Sequence, residues 1–409
     1  MNVHTTPNAP AKPDLVSPAF FADRNATYRT LRDNFPFFYT DIDGQSCLVL
    51  TRYAHVDEAL RHPLVTVHPE PGKFPEERIG RGSASRFYRE SLVNLDAPHH
   101  TRIRRMLTPA FTSRAIGKMR AWMEEMVDDH LAMIENQSEV EFVTEFASPM
   151  ATALACKLAH VPLSDAAELI PKVHDLIAIL GVSSMASGAL EAADAAGDSY
   201  YAYMDNLFET LKERGLPADD PAGVLLAAEG REDVPRSELV TLLAGYIIAT
   251  YHTSKGNIIN AALQLLLHPE QKARLVEHPE LAASAWEEVL RYDGPVHFMH
   301  RYTSAPITID GVPIEAGQRL LLGLHAANRD ERRFPDPDSF IIDRPNNRHF
   351  GFAGGAHFCI GAQVARLEGE VLLQRLFQRF PAMRIKEEWH SPVQDLSFPM
   401  VERLVLSLR

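Results

Sequence analysis

Apolar residues return every three or four positions at Ile116, Met119, Met123, Met126, Val127 and Ile134, the stripe of an amphipathic helix whose apolar side belongs in a core. The longest stretch predicted to be helical lies between Pro235 and Pro269, with no proline inside it. Ser237 is its expected N-cap, and at about 1.5 Å per residue such a helix would cross the whole molecule. Strand patterns come in two places. Phe37-Phe-Tyr39 and Cys47-Leu-Val-Leu50 flank Asp43-Gly44, which predicts a hairpin on an Asp-Gly turn. Ile307–Ile309, Asp310-Gly311 and Leu320–Leu322 predict a second strand pair. The chain is therefore mixed early and helical later, with no internal repeat. Residues 1–18 are polar, with prolines at 7, 10, 13 and 18, and read as a flexible arm.

Composition narrows the class. At 409 residues, 45% hydrophobic and 23% charged, this is an ordinary globular composition with enough apolar residues for a large core. Length alone would suggest two or three domains. Cys47, Cys156 and Cys359 are too few and too scattered for a disulfide framework or a four-cysteine zinc site, which suits a reducing cytosol. The first 18 residues have no apolar stretch suited to a signal peptide, and nowhere does the chain approach the ~20 apolar residues of a membrane span. A cytoplasmic protein with no membrane contact is expected. A net charge of −13 argues against nucleic acid as a partner.

The chemistry gathers at Cys359. It sits in Phe352-Ala-Gly-Gly-Ala-His-Phe-Cys359-Ile-Gly361-Ala362, a Gly-rich turn that opens into a proline-free segment of helix-forming residues. A thiol at a helix start feels the positive end of the dipole and unpaired backbone N–H groups, which favour the thiolate, the form that binds metal. Gly354 and Gly355 let the backbone turn tightly and admit a flat cofactor close to the main chain. Two other readings stay open on these residues alone: a buried structural Cys, or a nucleophilic Cys served by one of 18 His residues as base. The spacing Phe-x-x-Gly-x-His-x-Cys-x-Gly, filled by Phe352, Gly355, His357, Cys359 and Gly361, resembles the haem-thiolate loop of the cytochrome P-450 family.

Three further segments carry the resemblance. Glu288-Val-Leu-Arg291 alone is an ordinary ion pair on one helical face. With Arg344 in Phe334-Pro-Asp-Pro-Asp-Ser-Phe340-Ile-Ile-Asp-Arg344, the resemblance implies a buried Glu288–Arg291–Arg344 network that fixes the Cys359 loop. His100 and Arg104, four apart, share a helical face that would otherwise read as a basic solvated surface. The resemblance implies that they face the haem propionates together with Arg301 and His357. The long helix departs from the family. Counted back from Asn260-Ala-Ala-Leu-Gln, the register lands on Ala249-Thr-Tyr-His-Thr-Ser254. Thr253 takes the place of the alcohol nearest the reacting oxygen, His252 replaces the usual acid, and Thr250 the usual Gly. A register through Ala244-Gly245 demands a five-residue shift downstream and puts Ile248 and Ala249 where alcohols belong.

His252 has three readings: a packed residue, a substitute proton relay, or a mark of peroxide-driven or non-oxygenating chemistry. An unperturbed imidazole near ~6.5 would change state within the working pH range. The resemblance implies a single mainly helical domain over 19–409 with small peripheral β-sheets and a long central helix over haem b, with Cys359 as axial ligand. It implies monooxygenation of a small apolar organic substrate by O2, with electrons from a separate ferredoxin or flavodoxin, and a monomer is expected. A haem-binding sensor without turnover is the reading from another class. By family position the pocket walls come from segments 66–93 and 170–203, and from Ile248, Ala249, Val296, His297, Phe298 and Met400. Lys73, Arg78, Arg81, Arg86 and Arg89 would anchor a substrate carboxylate or lie solvated. Arg104, Arg105, Arg348 and Arg366 are the expected basic patch for the redox partner.

Overall fold

The proline-free run forms a 32-residue helix, Arg236–Leu267, in the computed structural model. The structure describes residues 12–42, 44–70, 79–178, 188–387 and 395–409. Most of that helix is buried, with Leu243, Ile247, Ile258 and Ile259 wholly so, because other helices surround it. It lies chiefly against Ser148–Ala159 and also against Ala189–Arg214 and Ala282–Asp293. Its N-cap is Pro235, not Ser237, and no side chain caps it. Ser237 falls in the first turn, where its carbonyl accepts from Arg86 and Thr241. The apolar stripe near residue 120 divides into two helices, Ser113–Gly117 and Arg120–Ile134, and Ile116, Met119, Met123, Val127 and Ile134 all enter the main core.

The sheets are small and lie beside this helical body. β1 (Phe38–Ile42) and β2 (Gln45–Leu50) form the expected antiparallel hairpin. Asp41 accepts from the Gly44 amide at 2.8 Å and Gly44 sits at φ 73°, while Asp43 lies outside the described residues. The second pair is corrected. β6 (Ile307–Ile309) turns through Asp310-Gly311 onto β7 (Val312–Ile314), and Leu320–Leu322 belongs to β8 (Arg319–Gly323). A positive φ at both Asp310 and Gly311 allows the tighter two-residue turn. β8 instead joins β2 in parallel and β5 (Phe298–Thr303) antiparallel, in a five-stranded sheet of order β1-β2-β8-β5-β3, with β3 at Val65–Thr66. A three-stranded sheet of β4 (Glu139–Glu141), β10 (Val405–Ser407) and β9 (Arg384–Ile385) carried no strand pattern strong enough to predict.

Of the arm read at residues 1–18, residues 1–11 lie outside the described set; in 12–18 Leu15 is buried and joins Phe20 and Tyr28 in a core beside the five-stranded sheet, while Asp14 and Val16 on either side of it are exposed. Among the described residues, no helix is long and apolar enough to cross a membrane.

Candidate active site

The Cys359 loop is shaped by what its backbone must avoid. Gly355 sits at φ 64°, and a Cβ there would come within 1.9 Å of the Leu60 carbonyl oxygen, on the helix Tyr53–Arg61. Glycine is required on both counts. The Cys359 amide donates to the Phe352 carbonyl at 3.0 Å, closing the turn. Helix Ala362–Arg379 follows at once, with Gly361 as N-cap and its amide hydrogen-bonded to the sulfur. Surrounding protein pushes the thiol up, while that amide and the Arg104 and Arg366 guanidiniums pull it down. The residue as a whole is nevertheless exposed.

Two charged networks hold the loop. Glu288, wholly buried, accepts from Arg291 Nε and Nη2 at 2.7 and 2.8 Å and from Arg344 Nε at 3.1 Å. It also takes Asn347 Nδ2 at 3.1 Å, and both arginines spend their remaining donors on backbone carbonyls such as Asn328, Pro335 and Ser339. The second network had no sequence signal beyond adjacent charges. Glu287 takes both Arg366 Nε and Nη2, at 2.8 and 3.1 Å, and His349 Nε2 at 3.2 Å. His349 Nδ1 in turn receives the Gly351 amide at 2.9 Å, and Arg366 lies 4.8 Å from the Phe352 ring centre. Burial opposes the Glu287 charge, yet the bonds from His349 and Arg366 hold its carboxyl down at about 2. Arg366 is thereby removed from the basic docking patch, because its fork is committed to Glu287.

Four basic side chains crowd one another nearby. His100 and His357 have ring centres 4.2 Å apart, and Arg104 and Arg301 are close enough to act on their charges. Burial, then Arg301, His100 and Arg104, lower His357 to about 2; burial alone is the main cause that brings Arg301 to about 10. Buried His100 Nε2 and Arg301 Nη2 have no hydrogen-bond partner among the described residues. Asp96 is the carboxylate that acts on His100 and Arg301, and the donors left over suit a bound ligand that brings negative charge; two propionates beside a sulfur ligand fit them.

The central helix exposes a short face amid its buried length. Ala249 is exposed and Thr250, His252 and Thr253 half-buried, while Ile248 is buried. Thr253 Oγ1 donates to the Ala249 carbonyl at 2.8 Å, which leaves its lone pairs to accept from a ligand. His252 turns aside: its Nε2 lies 3.1 Å from His174 Nδ1, on the helix Ala166–Ala178. Burial, then Lys255 and His174, lower its imidazole to about 3, so it is neutral across the working range and does not titrate near 6.5 as its ordinary value suggested. The next residue, Ser254, donates to Glu368 of the helix that follows Cys359. Burial raises Glu368 to about 7. That bond ties the Thr253 turn to the Cys359 side, and neither His174 nor Glu368 could be singled out in the sequence, since their partners lie 78 and 114 residues away.

The expected pocket walls separate into two groups. Met400 approaches Gly256, one turn beyond His252, and Val296 is half-buried. His297 and Phe298 are drawn into the core: His297 stacks on His325 at 4.0 Å between ring centres, and Phe298 packs on Tyr28. Arg86 is no carboxylate anchor, since it donates to Thr241, Glu90 and the Ser237 carbonyl. Lys73, Arg78 and residues 179–187 of the expected walls lie outside the described residues. A groove of about 910 Å³ lined by Pro98, Arg102, Arg105, Met106 and Val224 includes neither Cys359 nor Ala249, and its size does not make it the reaction site.

Comparison with known proteins bears on the family and the fold. The sequence profile described as Cytochrome P450 matches residues 20–161 and 263–401, leaving out the stretch with His252 and Thr253. The chain is 32% identical to Cytochrome P450 107B1 of Saccharopolyspora erythraea over 383 residues, 91% of this chain and 92% of that one. It is 33% identical to Vitamin D(3) 25-hydroxylase of Pseudonocardia autotrophica over 375 residues, 91% and 90% of the two chains. In structure it is similar to P450BioI in complex with a hexadec-9Z-enoic acid-ligated acyl carrier protein, with TM-score 0.88, 28% identity and 96% and 99% of the chains covered. It is also similar to myxobacterial CYP267B1 in complex with myristic acid, at TM-score 0.87 and 28% identity over 98% and 100%.

Proposed function

The chain belongs to the cytochrome P450 family of haem-thiolate monooxygenases, and from that footing we propose that it inserts one oxygen atom of O2 into an apolar organic substrate, with electrons from a separate ferredoxin or flavodoxin. What supports this most is Cys359 with Arg104 acting on it, in a cluster of four basic side chains whose His100 and Arg301 keep unpartnered donors. Cys359 would hold the iron of haem b, and His100, Arg104, Arg301 and His357 would hold the propionates. Haem, when bound, supplies the activation of dioxygen. The protein's own tasks are narrower. Glu288 with its arginines, and Glu287 with Arg366 and His349, keep the loop from moving. Thr253 offers a hydroxyl at the reacting face, its proton directed to the Ala249 carbonyl and its lone pairs left to accept from a ligand there. His252 stays neutral and fixes the turn through His174.

The substrate class rests on weaker support: the walls named above are largely apolar, and relatives with a fatty acid or vitamin D in their names point the same way. Arg105 and Arg348, both exposed, with Arg104 half-buried, would form the basic docking patch for the electron donor. A peroxide-driven reaction is the second reading, favoured by the single observation that the side chain in the acid's position is turned to His174. Isotopically heavy O2 separates them. With NAD(P)H, a ferredoxin and its reductase, one labelled oxygen atom per product is expected; label arriving only from added peroxide would establish the second reading, and no NAD(P)H-dependent product from any ligand that binds would leave a sensor.

A further inference from the structure

His174 and His252 present two imidazole nitrogens to each other across two helices. His252 Nε2 and His174 Nδ1 are 3.1 Å apart, and the rings stand at 84° with centres 4.7 Å apart. Metal–nitrogen bonds of about 2.0–2.1 Å to nitrogens at this separation would meet at an angle of about 95–102°, between the square-planar and tetrahedral values. His174 is exposed and His252 half-buried, so an ion can enter from solvent and keep water on its other positions. Protons do not compete for the site at neutral pH, since both imidazoles are lowered, chiefly by burial. The contrast within the molecule is informative. Asp293, His297 and His325 also come together, but there the two rings stack at 25° with centres 4.0 Å apart, so their in-plane lone pairs lie in separate, nearly parallel planes.

We propose that His174 and His252 form a bidentate site for a borderline divalent cation of the zinc, nickel and copper class, distinct from the haem site. A bound ion would replace the imidazole–imidazole hydrogen bond and staple the helix Ala166–Ala178 to the central helix one residue before Thr253. Lys255, which also acts on both rings, and the Tyr251 ring 5.2 Å from His252 face the pair; burial lowers the Lys255 ammonium, whose charge opposes a cation here. Imidazole pairs of this kind prefer copper(II) over nickel and zinc, and do not hold calcium or magnesium.

The test is titration of the metal-free, haem-loaded protein with copper(II), nickel and zinc chlorides by calorimetry, with electron paramagnetic resonance of the copper form. The parent should bind one equivalent more tightly than the rest, with two nitrogens on copper. His174→Ala and His252→Ala should each weaken that equivalent by about 100-fold and leave one nitrogen or none, since losing either arm removes the chelate. His278→Ala, at an exposed residue paired with Glu280, should leave it unchanged. Retention of the tight equivalent in either single variant, or no tight equivalent in the parent, would overturn the site. Neither result depends on the substrate or the electron donor.

Discussion

Replacing Glu368 with Gln tests how the protein handles a carboxyl buried against Ser254. The ordinary value for this group is 4.5, and burial raises it to about 7. A buried carboxyl of this kind binds a proton more readily in the native chain than in the unfolded one. Folding is therefore opposed increasingly as pH rises from about 4.5 to about 7, and the full cost persists above. The difference is worth about 3 kcal/mol above pH 8 and less than about 1 kcal/mol at pH 5. Gln has the same size, no charge, and an oxygen that accepts the Ser254 hydroxyl. The parent and Glu368→Gln should thus be nearly equal in stability at about pH 5, with the variant ahead by about 3 kcal/mol at about pH 8.5. Urea unfolding of the haem-loaded proteins, followed by far-ultraviolet circular dichroism across that range, measures it. A stability difference that stays constant with pH would refute the reasoning, because it would mean that the Glu368 charge is compensated in the fold.

Glu288→Ala should cost about 3–5 kcal/mol and yield protein poor in haem, since Arg291 and Arg344 lose the charge between them; haem content and thermal stability are the readouts. Glu287→Gln should weaken the second clamp while removing the acid sensitivity that comes with a lowered carboxyl: Glu287 contributes stability above about pH 4.5, lost as pH falls towards about 2, so parent and variant should differ by a constant amount above about pH 4.5 and converge as pH falls below it. Thr253→Ala should divert electrons to hydrogen peroxide while leaving ligand binding nearly intact, measured as product per NAD(P)H. His252→Ala should slow turnover without altering the shape of the pH profile between about 5.5 and 7.5, because the imidazole it removes is already neutral throughout that range.

The parts of the site that were legible in the sequence are those whose chemistry is local. Phe352 to Gly361 form one loop, and His100 with Arg104 a single helical face, so spacing carries which residues stand together, while what they face is implied by the family resemblance. The long helix was likewise legible from the absence of proline between Pro235 and Pro269. What could not be read depends on contacts between distant segments. The direction of His252 is set by His174, the commitment of Arg366 by Glu287, and the environment of Glu368 by Ser254. A periodicity places a residue on a face but does not say which side chain meets it there. The same limit explains β8: Leu320–Leu322 reads as a strand, yet its neighbours β2 and β5 are chosen by packing across the sheet.

The central claim, that Cys359 is the thiolate ligand of a haem held in this fold, is tested most directly by the absorption spectrum of the reduced, CO-bound protein. The parent should show the strongly red-shifted Soret band of thiolate-ligated haem, and Cys359→His should lose that band while still able to hold haem through the donors at His100, Arg104, Arg301 and His357. An unchanged red-shifted band in Cys359→His would contradict the account.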